Sequence, residues 1–377
     1  MAYQNVGTPR FFIDNYMYLR AIGLDPQEYI NQTEDTNDLD GVAFVTPLDN
    51  ENAFTLSPEI SKQFVSLTDQ GLPRDTLRFF IPCGEMIRGM DFSGNMKWYG
   101  AILNHNLGDS NLRIQNIMFM GAVNTEVFTY SEGDEDETAI LNARLGSTEM
   151  NNGSSIFYSD NIPTDERFTG FRLTGDTYGD TSNFQVGAIS MGVMYTMPNS
   201  ADLNLTMQVE FGGYDETETL GGSTLTNIRQ TGAPIWSNDG EYNSPFSVGD
   251  FSDNQYLGGA KRNGRRSWSL KFSYISDENI FSSNYMANNY TETTTDYSSD
   301  DLDTDNQFEY NMFTDDSFMA QVWNKTLGGA LPFIFQPDSN NDNPDQFCIA
   351  KFDMDTLSVK QVAFKTYSIS VKIREVW

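Results

Sequence analysis

The chain has 377 residues, 38% of them hydrophobic and 13% aromatic, with 53 acidic and 23 basic residues for a formal charge of −30. That length and apolar content suffice for more than one packed core, while the charge repels nucleic-acid phosphates and excludes general DNA or RNA binding. Thirty glycines, with abundant Asn, Asp, Ser and Thr between short apolar runs, predict a mainly β chain.

In chain order, residues 7–24 form an aromatic opening segment that reads as a strand followed by a short helix or turn. Residues 25–62 are acidic and weakly patterned apart from Gly41–Val45, one short strand. Strand candidates follow at Leu77–Ile81, Trp98–Leu103, Leu112–Met118 and Phe168–Leu173. Ile189, Met191, Val193 and Tyr195 then alternate, as do Leu203, Leu205, Met207, Val209 and Phe211, the signature of half-buried strands. Pro198-Asn199 between them predicts a turn and an antiparallel pair.

The stretch 212–264 is rich in glycine and polar residues and reads as an extended arm. Trp268, Leu270, Phe272 and Tyr274 alternate with Ser267, Ser269, Lys271 and Ser273, a strand entered through a basic turn. After a polar insertion, Asp315-Asp316-Ser317 offers N-caps for a helix that starts at Phe318 and stops at Gly328-Gly329. Phe318, Met319, Val322 and Trp323 share one face of it. Two apolar runs, Leu331–Phe335 and Phe347–Ala350, precede a final strand. In that strand Tyr367, Ile369, Val371 and Ile373 face one way, and Ser368, Ser370, Lys372 and Arg374 the other.

Charge is segregated along the chain. Residues 257–276 carry Lys261, Arg262, Arg265, Arg266 and Lys271 and no acid, whereas 277–317 hold eleven acids and no Lys or Arg. The basic turn is expected to pair with that acidic segment in its own chain or in a sister copy.

Catalytic signatures are missing. His105 is the single histidine, so no His pair exists, and there is no nucleophile elbow, phosphate loop or His-Glu-x-x-His. A role in holding the loop between two strands is its expected use, and a ligand contact is the alternative. Asp301, Asp303 and Asp305 begin like a calcium loop, but Asn306 and Met312 stand where glycine and glutamate are needed, so no metal is assigned. Cys83 and Cys348 are too few for a zinc cluster or a disulfide framework and are expected as buried thiols. The N-terminus has no signal-peptide pattern, and no apolar run approaches membrane-spanning length.

Two resemblances add to this reading. Trp98–Ile114, with Asn104-His105-Asn106 closing the first strand, resembles the strand–loop–strand element of galactose-binding-like jelly rolls of phage tail proteins. Across about 187–377, the segments Gly187–Ser190, Tyr195–Leu203, Gly264–Tyr274, Leu331–Asp338 and Ile373–Trp377 resemble virion tail-associated proteins of marine tailed phages. The order of elements in the last third is similar to the tail-tube fold.

The expectation is therefore a mainly β chain in three parts. An N-terminal arm (1–39) precedes a jelly-roll-like β-sandwich (40–211). A tail-tube-like domain (212–377) follows, with one short helix and long insertions at 212–264 and 277–317. The resemblance implies a non-enzymatic structural protein of the virion tail, made in the host cytoplasm, in a distal-tail or baseplate ring. It would assemble with itself and other tail proteins, with no cofactor, specific nucleic-acid binding or membrane insertion. Arg262, Arg265, Arg266, Asp301, Asp303, Asp305, Trp323 and Trp377 are the expected subunit contacts. The alternatives are a host-glycan adhesin using Asn104, His105 and Asn106, and a head decoration protein.

Overall fold

The computed structural model describes residues 6–23, 95–105, 153–159, 185–203, 205–210, 214–228, 264–281 and 315–376. Outside these it describes residue 56 and the strand segments 43–44, 62–63, 76–82, 112–120, 126–128, 139–141 and 168–175.

The chain is mainly β, as its turn-rich composition predicts, and its core lies in one eleven-stranded sheet. In chain order the strands are β1 (Arg10–Asp14), β2 (Met96–His105), β3 (Ala139–Leu141), β4 (Gly153–Ser159) and β5 (Ala188–Thr196). They continue as β6 (Thr206–Glu210), β7 (Arg265–Ser276), β8 (Phe333–Gln336), β9 (Cys348–Phe352), β10 (Val359–Ala363) and β11 (Thr366–Glu375). Across the sheet they run β6-β7-β11-β9-β8-β1-β5-β2-β4-β3, with β10 also pairing β11.

The opening segment holds the middle of this sheet. β1 pairs antiparallel with β5 on one side and β8 on the other, so it bridges strands from both expected modules. The stretch 40–211 accordingly divides its strands between two sheets. Five belong to the large sheet, and Ala43–Phe44, Thr76–Pro82, Phe168–Gly175, Leu112–Met120 and Glu126–Phe128 form a second, five-stranded one. Two sheets fed alternately by one chain give the sandwich character expected there. The hydrogen bonding of the large sheet, however, runs straight across the 211/212 boundary.

The central strands are buried on both faces. Phe11 and Ile13 join a cluster with Trp98, Val193, Phe333 and Phe335, and Phe12 joins Tyr99, Met194, Ile334 and Phe347 on the other side. Phe11 meets Phe318, Phe333, Phe335 and Phe352 with ring centroids 5.3–6.0 Å apart. Such aromatic contacts add to the free energy of area burial itself.

Helix α1 (Asn15–Ala21) follows β1 directly, and Asp14 caps it by accepting a 2.9 Å bond from the Met17 amide. A second short helix, α2 (Asp277–Ile280), buries Ile280 at the end of β7. The helix predicted from Phe318 forms over Met319–Asn324 with π rather than α winding, and its Phe318 and Val322 enter the core as expected. Gly328 and Gly329, at φ 65° and 97°, end that region as the sequence indicates.

Two local expectations fail. The strand predicted around Leu203–Phe211 is short and exposed at all five positions, and it pairs with β7 instead of β5. It forms the margin of the sheet, so the inward side of its alternation is only partly covered. On β7, Tyr274 leaves the buried row because the register shifts between Phe272 and Ile275. Tyr274 takes a left-handed conformation at φ 62°, and Ile275 fills the core instead. Trp323 packs on Phe352 at 5.3 Å and is partly buried against the core.

Candidate assembly surface

The residues singled out for function sort into those turned inward and those turned outward. Arg266 belongs to the first group. Its guanidinium donates to both carboxylate oxygens of Glu375, Nε to Oε2 at 3.1 Å and Nη2 to Oε1 at 3.0 Å, and its backbone N–H adds a third bond at 3.0 Å. Nη1 donates to the Asp345 carbonyl at 2.6 Å, Nη2 to the Phe347 carbonyl at 3.2 Å, and the Trp268 ring lies 5.1 Å away. Burial works against the charge, but Cys348, Glu375 and Asp345 together hold the guanidinium above its ordinary range. Arg266 is therefore the clasp that ties the end of β11 to the start of β7, and its expected part in a subunit contact is withdrawn.

His105 is also interior. It is 2% exposed, with Nε2 and the Ser155 hydroxyl 2.7 Å apart across the β2–β4 pair. Burial lowers its pKa to about 3, which keeps the imidazole neutral. It takes the structural role and presents no surface to a sugar. Asn104 lies on β2, and Asn106, Arg262, Asp301, Asp303, Asp305 and Trp377 lie outside the described residues, as does Cys83. Cys348 is a buried free thiol, as expected.

Sequence reasoning missed a second buried polar cluster at the sheet centre. Ser190 Oγ donates to Asp14 Oδ2 at 2.7 Å, and the Tyr99 hydroxyl lies 2.7 Å from Ser190 Oγ. Burial raises the Asp14 carboxyl to about 7 and pushes the Tyr99 phenol well above its usual value. Asp14 ends a run of apolar residues, and an acid in that position is the only signal that could have marked it. Lys325 is likewise buried, with Nζ 2.5 Å from Gln321 Oε1 and a pKa lowered by burial to about 7. These groups are enclosed by packed side chains, so they serve as internal structure.

The outward-facing features lie on β6 and its neighbours and on a hairpin that follows β6 in the chain. β6 is its outermost strand, no described strand pairs with its far edge, and Met207 and Val209 are 54% and 46% exposed. Next in the chain comes a separate hairpin, Tyr214–Glu218 with Thr224–Ile228, which is exposed at each position from Glu216 to Asn227 except half-buried Thr219. Leu220 and Leu225 stand free on it. The β10–β11 hairpin places Phe364, 87% exposed, at its tip.

The outer face of β7, β11, β9 and β10 completes the outward-facing set. Alternation puts Ser267, Ser269 and Lys271 of β7 beside Arg374, Lys372 and Ser370 of β11 in register. Arg374 donates to Glu210 at 2.8 Å, and Lys271 lies 3.9 Å from Asp202.

No family model, curated protein or solved structure matches the chain. Among the described residues no helix is long and apolar enough to cross a membrane, and no group of three or more His, Cys, Asp or Glu is placed to hold a metal.

Proposed function

We propose that the chain is a structural, self-associating protein of a virion, a component of a phage tail that assembles into a distal-tail or baseplate ring with neighbouring tail proteins. The observation that supports this most is the edge of β6, which no described strand covers and which carries Met207 and Val209. An exposed strand edge carrying apolar side chains is a template for another strand, and proteins that stay monomeric blunt such edges with charge, proline or a bulge. β6 has one charged residue, Glu210, at its end. The tail assignment itself rests on the resemblance of the 187–377 segments. The glycan adhesin reading loses support with His105 inside the fold.

Sedimentation velocity and negative-stain microscopy of the purified chain test the association. Ring-shaped or higher-order particles that dissociate on dilution are expected, and a monomer at every concentration would overturn the reading. Labelling of intact particles with antibody then tests the position: decoration of the tail tip is expected, and decoration of the head would move the protein to another part of the virion.

A further inference from the structure

The basic patch on the outer sheet face is at odds with the charge of the whole chain. Arg265, Lys271, Lys351, Lys360, Lys372 and Arg374 lie on the solvent side of four adjacent strands, against the carboxylates of Asp202, Glu210 and Asp353. That is six of the 23 cations of a chain with 53 acids. Serines 267, 269, 368 and 370 fill the positions between them, giving a flat face of ammonium, guanidinium and hydroxyl donors. No ion pair joins Lys351, Lys360 or Lys372 to a described residue, so among the described residues part of this positive charge is unmatched.

The hairpin Tyr214–Glu218/Thr224–Ile228 carries the opposite pattern. Glu216 and Glu218 are two residues apart on one strand, and their register partners are Thr226 and Thr224, so one face presents two carboxylates beside two hydroxyls. No Lys or Arg occurs in the hairpin. Its exposure shows that in the single chain it does not rest on the basic face, and a lone two-stranded hairpin is at best marginally stable without a third element. Lys360 and Lys372, both exposed, are cations of this face with no described ion-pair partner, so they are the ones an acidic hairpin can meet.

We infer that the Glu216/Glu218 face of the hairpin of one copy docks on the Lys372/Lys360 sheet face of a second copy. This rests on the self-association proposed above and adds a second contact to the β6 edge. The two surfaces differ, so the contact is head-to-tail, and repeated it closes a ring or extends a filament instead of stopping at a symmetric dimer. It also explains how bodies of charge −30 approach, since opposed patches meet locally while the remaining surface repels.

The test is a charge swap in the full chain. One variant carries Glu216→Lys and Glu218→Lys, and the other Lys360→Glu and Lys372→Glu. All four side chains are exposed, and thermal melting checks that each variant folds. Each variant alone should self-associate roughly tenfold or more weakly than the parent, because like charges then face each other. An equimolar mixture should restore association, because the reversed arm of one meets the reversed face of the other. If the parent associates and both variants associate equally well, the contact is wrong while self-association stands. If the parent is monomeric, both fall. If heparin, used as a polyanion probe, binds the face through Lys360 and Lys372 and the mixture shows no rescue, the patch is a dock for an anionic polymer and the inference is overturned.

Discussion

The middle and the margin of the large sheet are built in different ways. β1 and β5 carry near-continuous apolar runs, Phe11-Phe12-Ile13 and Ala188–Tyr195, and are buried on both faces. β7 and β11 alternate, Trp268-Ser269-Leu270-Lys271 and Ile369-Ser370-Val371-Lys372, and bury one face only. The centre is therefore specified by volume, since each side chain there is enclosed by others. The margin is specified by pattern, and its outward positions are free to carry charge for another purpose. A substitution should be costly or harmless according to which region it falls in, and that contrast can be broken by measurement.

The largest effect is expected at Gly192. A Cβ there would lie 2.0 Å from the Ile13 carbonyl oxygen and 2.8 Å from the Asn15 amide nitrogen, both backbone atoms that cannot turn aside. Gly192→Val should cost more than about 4 kcal/mol, the range of exceptional core disruptions. Chemical denaturation that finds less than about 1 kcal/mol would mean that β1 and β5 are not packed as described.

Next is the clasp at the margin of the same sheet. Arg266→Ala leaves the Glu375 carboxylate buried without its partner, and removal of one member of such a pair costs about 3–5 kcal/mol. Arg266→Met with Glu375→Leu removes both charges and should recover much of that loss. If the double replacement is as unstable as the single one, the pair stabilises by geometry that apolar packing cannot reproduce.

The centre also carries a pH signature. The Asp14 carboxyl has a raised pKa of about 7, so its contribution to stability is full below the ordinary value of 3.8 and is lost as pH rises through 7. His105, lowered to about 3, has the opposite slope: its contribution is full above 6.5 and is lost as pH falls toward 3. Between pH 4 and 6.5 the two slopes oppose each other, and the parent should be nearly flat. Asp14→Asn keeps an oxygen for the Met17 amide and removes one slope. The variant should then gain stability with rising pH across this window, and at pH 8 exceed the parent by on the order of 4 kcal/mol. Melting curves of parent and variant from pH 4 to 8 decide it. A parallel pair of profiles would mean that Asp14 is not held neutral by burial.

Much of this contrast was legible in the residues. The alternation of the final strand, the helix from Phe318 with its glycine stop, and the strand-then-helix opening all appear because local periodicity and capping act over a few residues. The pairing of β1 with both β5 and β8 was not legible, because it joins residues more than 170 and 320 positions apart, and no local pattern encodes which strands become neighbours. For the same reason the alternation at 203–211 predicts a half-buried strand beside β5, whereas the strand lies at the margin beside β7. An edge strand and an inner strand share one sequence pattern and differ only in what covers them. Of the proposed contact residues, Arg265 alone remains on the outer face among those described. Arg266, one position along, points inward because a strand turns successive side chains to opposite sides.

The smallest effect is expected where the marginal strands face solvent. Ser370 lies opposite Lys271 on the outer face, with no side-chain packing above it. Ser370→Thr adds a β-branched side chain on a pleated surface, which strands favour by a few tenths of a kcal/mol. The same substitution at Ser190, between Asp14 and Tyr99, must fit an extra methyl into a filled interior and should destabilise by about 1–3 kcal/mol. The pair of measurements holds the chemistry constant and changes only the region. Equal effects at the two serines would erase the distinction between centre and margin. A stabilised Ser370 variant with a destabilised Ser190 variant would show that the outer face is free of folding constraint. Its lysines would then be there for contact rather than for the fold.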